Sequence, residues 1–120
     1  MIIAVSSQGP NLESMVDPRF GRAACFIIYD TETDQFEAVD NQQNLQAAQG
    51  AGVQSAQRVA GLKVELAISG NYGPKAFSLL HQAGIKTAQL AGGTVAEAIE
   101  KAKNNQLTIL DNASVDSHWM

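Results

Sequence analysis

Val64-Glu65-Leu66-Ala67-Ile68-Ser69-Gly70-Asn71-Tyr72-Gly73-Pro74-Lys75-Ala76-Phe77-Ser78-Leu79-Leu80 changes its rhythm midway. Residues 64 to 69 form a short apolar run suited to a buried strand. Gly70 to Gly73 break it. Pro74 then takes the first helical position, where its missing N–H costs nothing, and Ala76, Phe77, Leu80 and Ala83 recur on one helical face before Gly84. The unit repeats at once: Ile85 to Leu90 is a strand, Gly92-Gly93 a loop, and Thr94 to Lys103 a helix. Its start carries the T-x-x-E capping box of Thr94 and Glu97, and Lys101 and Lys103 suit the negative end of its dipole. Strand-loop-helix units in series imply parallel strands with helices packed on the sheet.

Upstream the pattern differs. Ile2 to Ser6 is a first strand, closed by Ser7-Gln8-Gly9-Pro10. Asn11 to Arg22 shows no period and contains Pro18 and Gly21, which makes it a long loop of the kind that usually carries function. Cys25 to Tyr29 and Gln35 to Val39 form an antiparallel hairpin about the polar turn Thr31 to Asp34. After a polar link from Asn41 to Gln49, Gly50-Ala51-Gly52 opens a helix with Val53, Ala56, Val59 and Ala60 on its apolar face, and Gly61 is expected to close it as a C′ residue. Leu107 to Leu110 can add a short strand. The expected order is β-β-β-α-β-α-β-α: a single α/β domain over residues 1–110, a mixed β-sheet flanked by helices, followed by a flexible tail at 111–120.

At 120 residues the chain is one ordinary domain, long enough to bury roughly two thirds of its unfolded surface without disulfide or structural metal. Its single cysteine excludes an internal disulfide and any cluster caged by several thiolates of one chain. The formal charge of −4 argues against a broad nucleic-acid surface, which needs Lys and Arg against phosphates. No apolar run approaches the length of a membrane span, and the N-terminus lacks a signal-like basic region, so the expected location is cytoplasmic with no membrane partner. Charge is unevenly placed, however. Asp30, Glu32, Asp34, Glu37 and Asp40 lie in the hairpin and Asp111 and Asp116 in the tail, so elsewhere the bases outnumber the acids.

That residual positive charge gathers near glycines. The three helix starts follow Gly50-Ala51-Gly52, Gly70-Asn71-Tyr72-Gly73 and Gly92-Gly93, and backbone N–H groups at helix starts bind anions. Lys75, in the first turn of its helix, opposes the dipole; it is either paired with an anion or solvated. Val16-Asp17-Pro18-Arg19-Phe20-Gly21-Arg22 places two arginines about an aromatic and a glycine, and guanidinium forks suit multivalent anions. The alternative is structural: Asp17 pairs with an arginine and Phe20 anchors the loop to the core. Gly50 to Ala56 superficially matches a dinucleotide turn, but no hydrophobic strand precedes it, and there is no G-x-x-x-x-G-K-[ST] loop.

VDPRFGRAACF at 16–26 resembles the HFGRA segment of the dinitrogenase iron-molybdenum cofactor biosynthesis family. GAGVQSAQ at 50–57 and SGNYGPKA at 69–76 resemble its other glycine segments in order and spacing. The resemblance spans roughly residues 1–110. It implies a ribonuclease H-like α/β fold and binding, carriage or insertion of metal-sulfur clusters rather than catalysis; some members hold a mixed molybdenum-copper sulfide cluster noncovalently. Carried over onto this chain, it implies a cofactor-binding crevice of Arg19, Phe20, Gly21, Arg22, Gly50, Gly52, Ser69, Gly70, Asn71, Tyr72, Gly73 and Lys75. The cofactor would be a molybdenum-copper sulfide cluster or another Mo/Fe-sulfide cluster, with proteins that deliver or receive it as partners. Two departures stand out: Arg19 occupies the family's histidine position, and Ala24-Cys25 replaces a common Pro-Tyr. Arginine has no lone pair for a metal, so ion pairing and N–H···S bonds replace ligation there.

Other residues carry weaker signals. Cys25 is the one soft thiolate available for Cu or Mo, against the commoner role of a lone strand cysteine in packing. Met15 offers a thioether near the loop or fills a gap. His81 lies off the apolar stripe of its helix, and His118, Trp119 and Met120 belong to the tail. The carboxylates Asp17, Asp30, Asp34 and Asp40 fall at turns and strand ends, not in the cluster a two-metal nuclease needs. An enzyme acting on a phosphorylated or nucleotide substrate, or a regulatory interaction module, remains the alternative to a cluster carrier.

Overall fold

The computed structural model describes residues 1–41 and 51–111. It contains β1 (Ile2–Ser7), β2 (Cys25–Asp30), β3 (Gln35–Asp40), α1 (Ala51–Ala60), β4 (Leu66–Ser69), α2 (Pro74–Gln82), β5 (Lys86–Gln89), α3 (Val95–Lys103) and β6 (Thr108–Ile109). The strands form one mixed sheet in the order β3-β2-β1-β4-β5-β6. Its centre is parallel, with β1 beside β4 and β4 beside β5, while β2, β3 and β6 run antiparallel to their neighbours. The expected series of elements is therefore extended by a sixth strand at the far edge. Gly50 and the tail from 112 onward, including His118, lie outside the described residues, as does most of the polar link.

Alternation along β1 sorts the core into two layers. Ile3 and Val5 join Ile27, Tyr29, Leu66, Ile68 and Ala88 beneath Val95, Ala98, Ile99 and Ala102 of α3. Ala4, Phe26 and Ala67 face the other way, toward Ala56 and Val59 of α1 and Ala76, Phe77 and Leu80 of α2. Among the described residues, α1 and α2 thus cover one face and α3 the other.

Helix ends follow local chemistry. Pro74 stands at N1 behind Gly73, and α3 begins with the expected capping box: the Thr94 side chain accepts from Glu97 N–H while Glu97 accepts from Thr94 N–H at 2.9 Å. A cap of this kind contributes about 1 kcal/mol. α2 closes through Gly84 at φ 79°, with Gly84 N–H bonding His81 O and Ile85 N–H bonding Leu80 O, a Schellman ending. α3 ends the same way with Asn105 in the glycine role. Gly61, expected to act likewise after α1, does not. Its N–H still bonds Gln57 O, and the left-handed residue is Lys63 at φ 60°, two positions later.

Lys103 in the last turn of α3 reaches across to the hairpin turn. Its Nζ lies 2.9 Å from Asp34 Oδ1 and 3.2 Å from the Tyr29 hydroxyl, which itself donates to Asp34 at 2.5 Å. Hydrogen bonding to Asp34 pushes the Lys103 pKa up to about 12, and bonding to Tyr29 and Lys103 holds the Asp34 carboxyl below its ordinary value. The hairpin is tied to the α3 face by this exposed charge cluster.

Candidate functional site

The carboxyl ends of β1 and β4 lie side by side, where ligands bind in open α/β sheets. β4 ends in the buried Ser69, β1 carries the buried Ser6 one residue before its end, and the long loop is fastened to both. Ser6 Oγ donates to the Asp17 carbonyl at 2.8 Å and lies 2.8 Å from Ser69 Oγ, which reaches the same carbonyl at 3.3 Å. Asp17 N–H returns a bond to Ser6 O at 2.8 Å. Asp17 then turns the chain: its carboxylate accepts Arg19 N–H at 2.9 Å and stands 4.0 Å from Arg19 Nε.

The loop next crosses the β4–α2 connection. Arg19 and Asn71 form a parallel backbone bridge, Phe20 N–H bonds Asn71 O at 3.2 Å, and Asn71 Nδ2 donates to Pro18 O at 3.4 Å. Gly70 permits the crossing, since a Cβ there would lie 2.7 Å from Pro18 Cα. Beyond the crossing, Gly21 O accepts from Asn41 Nδ2 and Ser55 Oγ, both at 3.4 Å, so the far end of the loop rests on α1. Gly52 is buried one turn earlier on that helix.

These contacts bring most of the sequence-derived residues together, with different roles. Arg19, with half its side chain exposed, and Lys75 face solvent, and Arg22 and Asn71 are half-buried. Phe20 and Tyr72 are core residues, 1% and 0% exposed, with their rings tilted against each other 5.3 Å apart beneath the loop. The Tyr72 hydroxyl donates to the carbonyls of Ala67 and Ala88, 2.9 Å from each, and so spans β4 and β5. Ser69, Gly70 and Gly73 are buried backbone supports. The structural alternative for the loop is thus present in full: Asp17 meets Arg19, and Phe20 is an anchor. α2 has no side-chain cap at Gly73 and no acid in its first turn, and it begins three residues after Asn71, the residue that Arg19 bridges.

Cys25 lies elsewhere. At the start of β2 it is buried, its thiol donates to Gly9 O at 3.1 Å, and burial pushes its pKa up, so it stays protonated at neutral pH. It lines a cleft of about 440 Å³ with Gln8, Gly9, Pro10, Ala24, Ala38 and Asp40, which none of the arginines borders. His81 is exposed and stacks on Phe77 at 4.1 Å, and Met15 is 46% exposed on the loop's outer side.

Ser6, Asn41 and Ser55 were not apparent as site residues from sequence. Ser55 had a signal: Gly52, Ser55, Ala56 and Val59 share one helical stripe, so a serine within it is buried and must find a partner. Asn41 had none, since it reads as the start of a polar link and is fully buried.

Asp17 gives this cluster a pH signature. Burial raises its carboxyl pKa above the ordinary 3.8, against the opposing pull of the Arg19 N–H and guanidinium. A raised folded value means the ionised form opposes folding above that value, and the opposition fades as pH falls through it toward 3.8. Asp17→Asn keeps an oxygen for Arg19 N–H and removes the charge. Its urea midpoint is expected to exceed the parent's at pH 7, with the gain vanishing below the ordinary carboxylate value; an equal gain at both ends of the titration would contradict the assignment.

A family profile described as dinitrogenase iron-molybdenum cofactor matches residues 1–105, and the chain belongs to that family. Among solved structures it resembles the apo form of the orange protein from Desulfovibrio gigas, at 40% identity over 95% of this chain and 96% of that one, with a TM-score of 0.93. A Thermotoga protein described as a candidate NifB is 39% identical over 95% and 97% of the two chains, with a TM-score of 0.83. A protein from Methanocaldococcus jannaschii described as a candidate dinitrogenase shares the fold at 15% identity, covering 93% and 96% of the chains with a TM-score of 0.71. A search of curated proteins returns no significant match. No helix among the described residues is long and apolar enough to cross a membrane.

Proposed function

We propose that the chain binds and carries, in the cytoplasm, an anionic molybdenum-containing sulfide cluster, with copper as the second metal. The cluster is cargo held in a cationic crevice by charge and N–H donors, and no catalytic step is assigned. The observation that carries this reading is the pinning of Pro18 to Phe20 across Gly70-Asn71, which sets Arg19 beside the uncapped start of α2. Membership of the cofactor family and likeness to the orange protein support it.

The donor chemistry fits such a cargo. Among the described residues no three of His, Cys, Asp and Glu converge as a metal cage, and the Cys25 thiol is protonated in a separate cleft. What the crevice offers instead is guanidinium from Arg19 and Arg22, ammonium from Lys75, the Asn71 amide and the first N–H groups of α2. All of these are donors, and sulfide sulfur on an anionic cluster is an acceptor. Phe20 and Tyr72 hold the crevice in place from below. The antiparallel hairpin beside three parallel strands also supports a ribonuclease H-like assignment of the fold. Proteins that deliver the cluster or receive it are the implied partners.

Anaerobic incubation with tetrathiomolybdate and Cu(I), followed by gel filtration, metal analysis and visible charge-transfer absorption, tests this. Molybdenum and copper are expected to travel with the protein. Arg19→Ala and Arg22→Ala are each expected to weaken retention about tenfold, the size of one lost charge-assisted hydrogen bond, while Cys25→Ser leaves it within about twofold. Metal-free protein after filtration would end the reading, and the reverse ranking would replace charge pairing by thiolate ligation.

A further inference from the structure

We infer that the outer edge of β3 is a docking surface for an extended, basic segment of a partner protein, which adds to the sheet as a further strand and seats an apolar side chain in the Cys25 cleft. This surface is separate from the proposed cargo crevice and does not depend on it. β3 ends the sheet, and its outer edge pairs with no strand among the described residues. Five of its six residues are exposed, and only Val39 is half-buried. Such an edge presents a row of backbone donors and acceptors to an incoming strand.

The side chains beside that edge are arranged for more than exclusion. Register places Phe36 opposite Tyr29, Ala38 opposite Ile27 and Asp40 opposite Cys25, all on the face that α3 covers. α3 packs over Ile27 and Tyr29 but leaves Phe36 42% exposed and Ala38 open. The shelf ends in the cleft of about 440 Å³, bounded by Gln8-Gly9-Pro10 on one side and by Ala24, Cys25, Ala38 and Asp40 on the other. Charged residues on an edge are a common guard against self-pairing. A guard alone does not account for an open phenylalanine and an apolar cleft in line with it.

Charge selects the occupant. The hairpin carries Asp30, Glu32, Asp34, Glu37 and Asp40, and the sequence has no Lys or Arg between Arg22 and Arg58. Lys103 from α3 pairs with Asp34 at the turn, and Glu37 in the middle of the strand is exposed. A second copy docking edge to edge brings like charges together, whereas a basic partner finds complementary ones. An extended segment alternating basic and apolar residues matches Glu37 on one pleat face and Phe36, Ala38 and the cleft on the other.

The probe is an alternating lysine–valine hexapeptide titrated into the full 15N-labelled chain, with the glutamate–valine hexapeptide as control. Saturable amide shifts are expected at Gln35 to Asp40 and at Gln8 and Gly9, absent with the control peptide. Glu37→Lys, an exposed change checked for folding by its thermal melt, is expected to weaken binding about fivefold. Raising salt from about 20 to about 500 mM is expected to weaken it about tenfold. No shift in β3, equal shifts from both peptides, an unchanged affinity for Glu37→Lys, or a dimer by sedimentation that the lysine peptide does not compete with would each overturn the assignment.

Discussion

Phe20→Ala is expected to lower the unfolding free energy by about 3–5 kcal/mol, the usual cost of emptying a fully buried phenylalanine site. For a chain of this length that corresponds to a fall of roughly 12–20 °C in Tm. The ring is 1% exposed and sits between Phe26 at 5.1 Å and Tyr72 at 5.3 Å, so little around it can collapse into the void. Its neighbours in sequence are Arg19 and Gly21, and the loop therefore loses its apolar anchor between its two polar fastenings. Thermal melts measure the first effect. Cluster retention in the surviving folded protein measures the second, which should fall at least as far as in Arg19→Ala. A variant that melts low but retains cluster normally would show that Ser6, Ser69 and Asn71 position the arginines unaided.

Gly70→Ala is the second large effect. The added methyl would stand 2.7 Å from Pro18 Cα and 2.9 Å from Pro18 O, and both are backbone atoms that no rotamer change can move. The loop must lift, breaking the Phe20 N–H to Asn71 O bond and the Arg19–Asn71 bridge. Overpacking of this kind costs about 1–3 kcal/mol, or roughly 4–12 °C in Tm here. Amide exchange reports the position of the damage: Phe20 N–H should lose protection while amides of β4 and β5 keep theirs relative to global stability. Uniform loss would mean that the strain spreads through the sheet instead of lifting the loop.

The fold was largely legible because its signals are local. Periods of two and 3.6 residues, Pro74 at N1, the Thr94/Glu97 box and Gly84 after α2 each act within a few residues, and the structure has all of them where the pattern places them. Gly61 misled because a glycine near a helix end is permitted, not required, to take the left-handed conformation. The proposed site is less legible. Charge and glycine spacing single out Arg19, Arg22, Asn71 and Lys75 as its candidates, whereas Phe20 and Tyr72, expected at the wall of that crevice, are core residues. Whether an aromatic ring faces solvent or core depends on how a loop crosses a sheet end, and that crossing is set by contacts between residues some 50 positions apart, such as Ser69 with Asp17. Asn41, buried with its amide on Gly21 and Ala23 carbonyls, has the same long-range origin.

Tyr72 carries its phenol into the middle of the molecule, bonded to carbonyls of two adjacent parallel strands, and its pKa lies well above the ordinary 10.0. The other tyrosine, Tyr29, is also raised, chiefly by its bond to Asp34. With both phenols so held, alkali does not simply titrate a surface chromophore. Tyrosinate absorbance at high pH then has two sources: Tyr29, which ionises where it stands beside Asp34, and Tyr72, whose share appears as β4 and β5 part beneath the arginine loop.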